Sequence, residues 1–162
     1  RLERGEISLE EWLVAVSEAA AAAGRELDLA PMQGLLANLT VHTAVVEHVA
    51  ALRAEGYRTA LVTNNVREGA DTWRAMIDVD GLFDVVVDSS SVGMRKPNPA
   101  IYRHALELLG DVAPHRAVFL DDAEGNVAGA REAGLHAILV PDPPEQALSE
   151  LDELLGRPAP SD

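Results

Sequence analysis

Cysteine is absent from the 162-residue sequence, which excludes both a disulfide framework and a thiolate metal site. No apolar run approaches the roughly 20 residues that a membrane-spanning helix needs, and no signal-peptide pattern is visible. Cationic side chains are scarce: 13 Lys and Arg stand against 27 Asp and Glu, for a net charge of −14. Because such a surface repels phosphate backbones and anionic lipids, we expect no nucleic-acid or membrane partner. With neither a spanning segment nor a signal peptide in view, a cytoplasmic location is the default expectation.

The stretch that organises the chain is the apolar run 117–120, which leads directly into Asp121 and Asp122. A short, continuous apolar run of this kind indicates a strand that is buried on both faces. Ligands bind at the carboxyl ends of such strands in parallel sheets. Two adjacent carboxylates repel each other unless a cation joins them, and Mg²⁺ is the cation that suits a site built of oxygen atoms.

Hydrophobic periodicity predicts an alternation of strands and helices after residue 43. The predicted strands span 57–62, 83–87, 117–120 and 136–140. The predicted helices span 8–24, 31–39, 43–56, 67–77, 98–110, 124–134 and 147–155. This order is typical of an α/β fold with a parallel, Rossmann-like sheet and helices on both faces. The first 40 or so residues contain helix signals only and indicate a helical appendage.

Several side chains are assigned to packing or to the surface rather than to chemistry. Leu108, Leu109 and Leu154 are predicted to face inward on their helices, and Trp12 and Trp73 to pack. Asp78-Val79-Asp80 is interpreted as a surface turn. The histidines share no metal-ligand spacing and are assigned to surface or packing roles; they are His42, His48, His104, His115 and His136.

Polar residues of different types follow three of the predicted strands. Thr63 and Asn64 follow the first, Lys96 lies in the loop after the second, and Asp121 and Asp122 follow the third. Lys96 is the only lysine among the cationic residues, which suggests a particular use for one compact point charge. A hydroxyl, an ammonium and two carboxylates at one sheet edge form a plausible phosphate and Mg²⁺ site.

Three segments resemble, in order, the second, third and fourth motifs of the haloacid dehalogenase-like (HAD) hydrolase superfamily. They are 61–64 (Leu-Val-Thr-Asn), 93–97 (Gly-Met-Arg-Lys-Pro) and 119–122 (Phe-Leu-Asp-Asp), extended by 98–102 and 125–130. The chain is most similar to the subfamily with a small helical cap, near the phosphatase-like domain of bifunctional epoxide hydrolases. The resemblance implies a partial helical cap over 1–42, an α/β core over 43–156 and a tail over 157–162.

The resemblance also implies a role for each site residue in the hydrolysis of a small phosphorylated metabolite. Thr63 would bind the transferring phosphoryl group with help from Asn64, and Lys96 would neutralise the phosphate and the nucleophile. Asp122 would bind Mg²⁺ directly, Asp121 would support it, and Asn126 would reach the water shell of the metal. In the family, an aspartate attacks the phosphomonoester and forms an aspartyl-phosphate that water hydrolyses.

That aspartate opens the family's first motif, Asp-x-Asp, and no such motif follows an apolar run before Thr63. The strand that carries it would be the central strand of the sheet, so two half-sheets with open edges are expected. Because residue 1 is Arg rather than Met, we expect the natural protein to continue upstream by roughly 20–40 residues, judged from usual element lengths.

Four alternatives remain open at the level of sequence. A 2-haloacid dehalogenase has the same fold, but smaller polar residues typically replace its acid pair. A phosphoryl-transfer mutase would need a general acid/base residue in its cap, and no such residue can be identified in this sequence. A signalling receiver domain also combines Asp-Asp, Thr and Lys, but its acid pair comes first in the chain. Finally, the chain could be an inactive fragment or pseudoenzyme that borrows a strand from a partner.

Overall fold

The computed structural model of the chain describes residues 1–26 and 41–157. The helices of these ranges are α1 (Leu9–Ala22), α2 (Thr43–Ala54), α3 (Ala70–Arg74), α4 (Val79–Leu82), α5 (Ser89–Val92), α6 (Pro99–Leu108), α7 (Glu124–Glu132) and α8 (Glu145–Leu155). The strands are β1 (Ala60–Thr63), β2 (Val85–Asp88), β3 (Val118–Asp121) and β4 (His136–Leu139). The predicted helix 31–39 and the tail from residue 158 lie outside the described residues.

The four strands form two separate parallel pairs. β1 pairs with β2 in the register Ala60↔Val85 to Thr63↔Asp88. β3 pairs with β4 from Val118↔His136 to Asp121↔Leu139. Within the described ranges, no hydrogen-bonded strand joins one pair to the other. The predicted α/β architecture with parallel strands is confirmed, and the missing central strand stays a prediction.

Helices cover the strands on two faces. One apolar cluster packs α6 and α7 against the strands and is centred on Val87, Ile101, Tyr102, Val127 and Ala130. A second cluster packs α2 and α8 on β3 and β4 through Leu52, Ile138, Ala147 and Leu151. Successive side chains of a strand point to opposite faces, and β3 follows this rule: Phe119 joins the first cluster, and Val118 and Leu120 join the second. β3 therefore packs against apolar side chains on both faces, as its continuous apolar run predicted.

Helix starts follow the capping residues in the sequence. Ser8 and Glu11 form a capping box at the start of α1, and the Asn98 side chain accepts the Ala100 N–H at the start of α6, with Pro99 as the first helical residue. At α2 the N-cap is His42, whose side chain makes no capping hydrogen bond, and Thr43 is the first residue of the helix.

The predicted helix 67–77 is wrong, because this region is broken into short pieces. A 3-10 turn, Arg67–Gly69, leads into α3, and the chain then starts again at α4. Gly69 lies inside the predicted helix, where glycine is unfavourable. The Asp78 carboxylate accepts the Gly81 N–H and so caps α4, which explains why the Asp78-Val79-Asp80 segment begins a helix instead of a simple turn.

Two of the leucines predicted to face inward are exposed. Leu108 is 52% exposed, and Leu154 is 48% exposed. The buried face of α6 is formed by Ile101, Tyr102, Ala105 and Leu106. Leu108 is the last residue of α6 and lies at the edge of this face, close to Ile101 in projection but about two turns further along the helix. Among the described residues, no helix is both long enough and apolar enough to cross a membrane.

Candidate active site

The end of β1 and the loop after β2 are joined through one amide side chain. Asn64 Nδ2 donates to the Lys96 carbonyl at 3.0 Å, and the Lys96 N–H donates to Asn64 Oδ1 at 2.8 Å. Thr63, the last residue of β1, lies directly before Asn64 and opposite Asp88 in the strand register. Asn64 therefore holds the backbone of Lys96 beside the end of β1.

The Lys96 side chain extends to the end of β3. Its Nζ lies 2.7 Å from Asp121 Oδ2, and it lies over the Phe119 ring at 5.6 Å from the ring centroid. The Lys96 and Asp121 side chains are 12% and 6% exposed, so this ion pair is shielded from water and only weakly screened by salt. A residue from the β1–β2 half is thereby paired with a residue from the β3–β4 half.

Three contacts in all fix the Asp121 carboxylate. Oδ1 accepts from Asn126 Nδ2 at 2.8 Å and from the Ala123 N–H at 2.9 Å, while Oδ2 accepts from Lys96. Both oxygens are thus already engaged. Asp122, the next residue, is exposed to solvent. The two neighbouring carboxylates therefore differ: Asp121 is an anchored anion, and Asp122 is accessible.

The donor atoms near the end of β3 fit a magnesium ion. Asp121, Asp122 and the Asn126 amide supply oxygen atoms, and Mg²⁺ is commonly held by one or two carboxylates, with water or phosphate completing its coordination. In the parts of the chain described here, no group of three or more acidic or histidine side chains could form a complete cage.

Tyr102 is part of the site's support, although sequence reasoning gave it no role. The side chain is buried, donates from its hydroxyl to the Asn126 carbonyl at 2.7 Å, and packs edge-on against Phe119 with ring centroids 5.0 Å apart. Burial and the negative charge of Asp121 raise the pKa of Tyr102 to about 12. The available signal was its place on the apolar face of α6, one residue after Ile101.

A close backbone approach brings α7 against the Lys96 loop. At Gly129, an added Cβ would overlap the carbonyl group of Pro97, whereas at Gly125, one turn earlier, nothing lies within 4 Å. Glycine is used where another backbone approaches this closely. Gly129 therefore permits the contact that places the Lys96–Pro97 segment beside the helix that carries Asn126.

The N-terminal segment docks on the loops that follow β1 and β2. Arg67 Nη2 donates to the Gly5 carbonyl at 2.9 Å, and the Leu9 N–H donates to Glu68 Oε1 at 2.9 Å. The second contact lowers the pKa of Glu68. Arg95, the neighbour of Lys96, pairs with Glu3 at 2.8 Å. The segment that was expected to be a partial cap thus contacts the loops that carry Asn64 and Lys96.

The two tryptophans differ in their packing. Trp73 is buried, at 8% exposure, and its indole N–H has no hydrogen-bond partner among the described residues. Trp12 is partly exposed on α1, a helix with no fully buried residue. Trp73 is therefore a core residue, as predicted, and the packing of Trp12 is only partial.

A family model and several curated proteins match the sequence of this chain. A family model for the haloacid dehalogenase-like hydrolases matches residues 1–134. Bifunctional epoxide hydrolase 2 of Rattus norvegicus is 35% identical over 125 residues, which is 75% of this chain and 22% of that protein. The plasmid-encoded phosphoglycolate phosphatase of Cupriavidus necator is 39% identical over 101 residues, covering 62% of this chain and 43% of the relative. The chain thus spans less than half the length of these relatives.

Solved structures show the same fold. A structure described as a HAD-like hydrolase from Porphyromonas gingivalis superposes with a TM-score of 0.70 at 26% identity, covering 97% of this chain and 78% of the other. A HAD family enzyme from Bacteroides thetaiotaomicron, in complex with magnesium and inorganic phosphate, superposes with a TM-score of 0.66. At 23% identity, with coverage of 86% of this chain and 73% of that one, the second match supports the fold only.

Proposed function

Because this chain belongs to the haloacid dehalogenase-like hydrolase family, we propose that it forms the main part of a Mg²⁺-dependent phosphatase for small phosphomonoesters. The observation that carries the proposal is the shielded Lys96–Asp121 pair, with accessible Asp122 beside it at the ends of the strands. We also propose the division into a partial cap over 1–42, a core over 43–156 and a tail over 157–162. The named phosphatases among the relatives are consistent with this reaction class.

Each site residue has a role in the proposal that follows from its chemistry. The Thr63 hydroxyl and the Lys96 ammonium would bind phosphate oxygens, and Asn64 would hold the Lys96 backbone in place. Asp122 would bind the metal, Asp121 would support it and orient Lys96, and Asn126 would orient Asp121. Bound Mg²⁺ would offset the charge that develops on the transferring phosphoryl group.

The proposed reaction passes through an aspartyl-phosphate whose nucleophile lies outside these 162 residues. An aspartate oxygen would attack phosphorus, the alcohol would leave with a proton, and water would then hydrolyse the acyl-phosphate. No residue in the sequence before Thr63 has the Asp-x-Asp pattern after an apolar run. We therefore propose that a segment beyond this chain supplies the aspartate and its acid/base partner.

Two separate measurements test this proposal. Binding of Mn²⁺, followed by its electron paramagnetic resonance signal as a substitute for Mg²⁺, should be weakened at least about tenfold in Asp122→Asn, because the carboxylate that would bind the metal directly loses its charge. Asp71→Asn, an exposed acid on α3, should bind like the parent chain. Equal binding by both variants would contradict the metal assignment.

The second measurement is the hydrolysis of p-nitrophenyl phosphate. The 162-residue chain should show no turnover above background, since the proposed nucleophile is absent. Turnover that is lost in Asp122→Ala would mean that these residues contain a complete site, and the proposal of an external nucleophile would be wrong. Halide release from a 2-haloacid without Mg²⁺ would instead favour a dehalogenase.

An inactive binding partner is the second candidate function, and one observation favours it: the strands form two separated pairs within the described ranges. In this case the chain would bind Mn²⁺ without acquiring phosphatase activity in any complex. Its cellular role would depend on the polypeptide with which it pairs.

A further inference from the structure

Four charged or titratable side chains join α2 to the end of α8, and we call them the α2–α8 cluster. His48 lies in α2 and Glu55 is its C-cap, while Asp152 lies in α8 and Arg157 follows that helix. His48 Nε2 is 3.1 Å from Asp152 Oδ1 and 3.2 Å from Arg157 Nη1. Arg157 Nη1 also donates to Asp152, and its Nε and Nη2 donate to Glu55 at 3.0 and 2.6 Å. None of these residues has a role in the candidate active site.

The α2–α8 cluster is largely shielded from water. The side chains of His48, Asp152 and Arg157 are 17%, 9% and 19% exposed. Salt screens such charges only weakly, and a buried carboxylate has to be paired. The other acids of α8 are exposed. Further charged groups on α2, on α4 or around the cavity beside His48 make no hydrogen bond or ion pair with it in the described ranges; they are Glu47, Arg53, Asp80, Arg58 and Arg116. A change of charge on His48 therefore acts first on Asp152 and Arg157.

The two contacts of His48 Nε2 make opposite demands on that atom. An ionised carboxylate can only accept, so the contact with Asp152 needs a proton on Nε2. A guanidinium can only donate, so the contact with Arg157 needs the free electron pair of Nε2. One nitrogen cannot satisfy both partners at once. In the neutral ring with its proton on Nδ1, Nε2 accepts from Arg157. Once Nε2 is protonated, it donates to Asp152 and repels the guanidinium.

We propose that the α2–α8 cluster is a pH-dependent switch in which Asp152 exchanges Arg157 for His48 as its partner. Above the range in which histidines titrate, Arg157 binds Asp152, His48 and Glu55 together. When His48 takes up a proton from water, Nε2 donates to Asp152 and displaces Arg157 Nη1, while Nε and Nη2 of the arginine stay on Glu55. The end of α8 is thus held against α2 by different contacts on each side of this pH range. The switch involves neither phosphate nor metal, so it does not rest on the proposed function.

The test uses nuclear magnetic resonance on the ¹⁵N-labelled 162-residue chain at about pH 8 and about pH 5.5, on either side of the histidine range and above that of ordinary carboxylates. The ring nitrogen shifts of His48 report which nitrogen carries the proton. The exchange of the Arg157 Nη1 protons with water is measured relative to that of the Nη2 protons. Because both groups belong to one guanidinium, this ratio removes the intrinsic pH dependence of exchange.

At the higher pH, His48 should carry its proton on Nδ1. On acidification, the Nη1 to Nη2 exchange ratio of Arg157 should rise by about fivefold or more, the factor that corresponds to the loss of one net hydrogen bond. His48→Gln, whose amide can donate to Asp152 and accept from Arg157 but cannot titrate, should show a constant ratio. His104→Gln, which removes a histidine paired with Glu107 on α6, should respond like the parent chain. The parent measurement needs no variant and stays decisive if His48→Gln does not fold.

Three results would overturn the proposal. A proton on His48 Nε2 at the higher pH would show that Asp152 already binds His48 before acidification. An unchanged exchange ratio in the parent chain would show that Arg157 keeps its contacts when His48 is protonated. An equal rise in His48→Gln would assign the response to another titrating group. None of these results depends on phosphatase activity or metal binding, so this proposal and the proposed function can fail separately.

Discussion

Lys96 and Asp121 come from opposite halves of the molecule and form a shielded ion pair, with Nζ and Oδ2 2.7 Å apart. Asn126 and the Ala123 N–H bind the other oxygen of Asp121. The two strand pairs share no ladder within the described residues, and this ion pair is a direct polar contact between them. The candidate site therefore also connects the two halves of the molecule.

Removal of the Lys96 charge should destabilise the chain. Lys96→Met keeps the aliphatic stem but leaves the Asp121 carboxylate buried without its cation, which typically costs about 3 kcal/mol or more in the free energy of unfolding. Urea unfolding measures the change. Lys96→Met combined with Asp121→Asn should recover much of the loss, because no unpaired charge remains. The surface pair Arg1–Glu6 is the comparison: Arg1→Met should change stability by less than about 1 kcal/mol.

Two glycines of α7, Gly125 and Gly129, differ in the space around them, so their alanine variants serve as controls for each other. Gly129→Ala should destabilise the chain by about 1–3 kcal/mol, since its Cβ would overlap the Pro97 carbonyl and force the helix and the Lys96 loop apart. Gly125→Ala has open space and should stabilise it by roughly 0.5–1 kcal/mol through helix propensity. Thermal unfolding of both variants measures the difference. The same sign for both would contradict the close contact.

Acid should loosen the attachment of the N-terminal segment. The Leu9 N–H binds the Glu68 carboxylate and lowers the pKa of Glu68 below its usual value of 4.5. A group with a lowered pKa stabilises the folded state above its unfolded-state pKa, and this contribution is lost as the pH falls from about 4.5 through the lower folded value. The protection factors of the amides of residues 9–12, which are corrected for the intrinsic pH dependence of exchange, should therefore fall over this window.

The control for this effect is Glu68→Gln, which keeps the side-chain shape and removes the titrating charge. Its protection factors at residues 9–12 should be lower than those of the parent chain at neutral pH and should change less between pH 5 and pH 3. An identical acid profile in the variant would assign the effect to another carboxylate.

Alkali should destabilise the fold through Tyr102. Burial and Asp121 raise the pKa of Tyr102 to about 12 from the ordinary value of 10.0. The unfolded chain therefore loses this proton first, and the stabilisation that is present below pH 10 is lost as the pH rises from 10 to 12. In Tyr102→Phe, the free energy of unfolding should fall less steeply across this interval, and the tyrosinate absorbance step near pH 12 should disappear.

The sequence predicted those parts of the site that depend on strand ends. Apolar runs located β1 and β3, and the residues that follow them, Asn64 and Asp121, both contact Lys96. This was predictable because parallel strands bring their carboxyl ends to one edge. The supporting role of Tyr102 was not predicted, because its position on the apolar face of α6 indicated core packing. The backbone carbonyl to which its hydroxyl donates lies 24 residues further along the chain. The side-chain pattern carries no information about such a partner.

The bounds of helices, and the helix residues that face the core, were predicted less well than the strands, because several weak conformational preferences compete there. Region 67–77 contains an apolar stripe but also Gly69, and the structure divides it into a 3-10 turn and the short α3. Leu108 follows the apolar period locally and is nevertheless exposed, because it is the last residue of α6 and lies beyond the residues that the core contacts, Ile101, Tyr102 and Ala105. Tertiary packing, which a single sequence does not reveal, decided both cases.

The double hydrogen bond between Asn64 and the Lys96 backbone restricts which mutations position 64 can accept over evolutionary time. A single base change can turn an asparagine codon into one for Asp or Ser. Aspartate keeps the acceptor for the Lys96 N–H but has no donor for the Lys96 carbonyl, and it adds an anion beside the site. Serine is too short to span both groups. Each of these two steps removes at least one of the two hydrogen bonds that hold the Lys96 backbone beside β1, so neither replacement supports the lysine as Asn64 does.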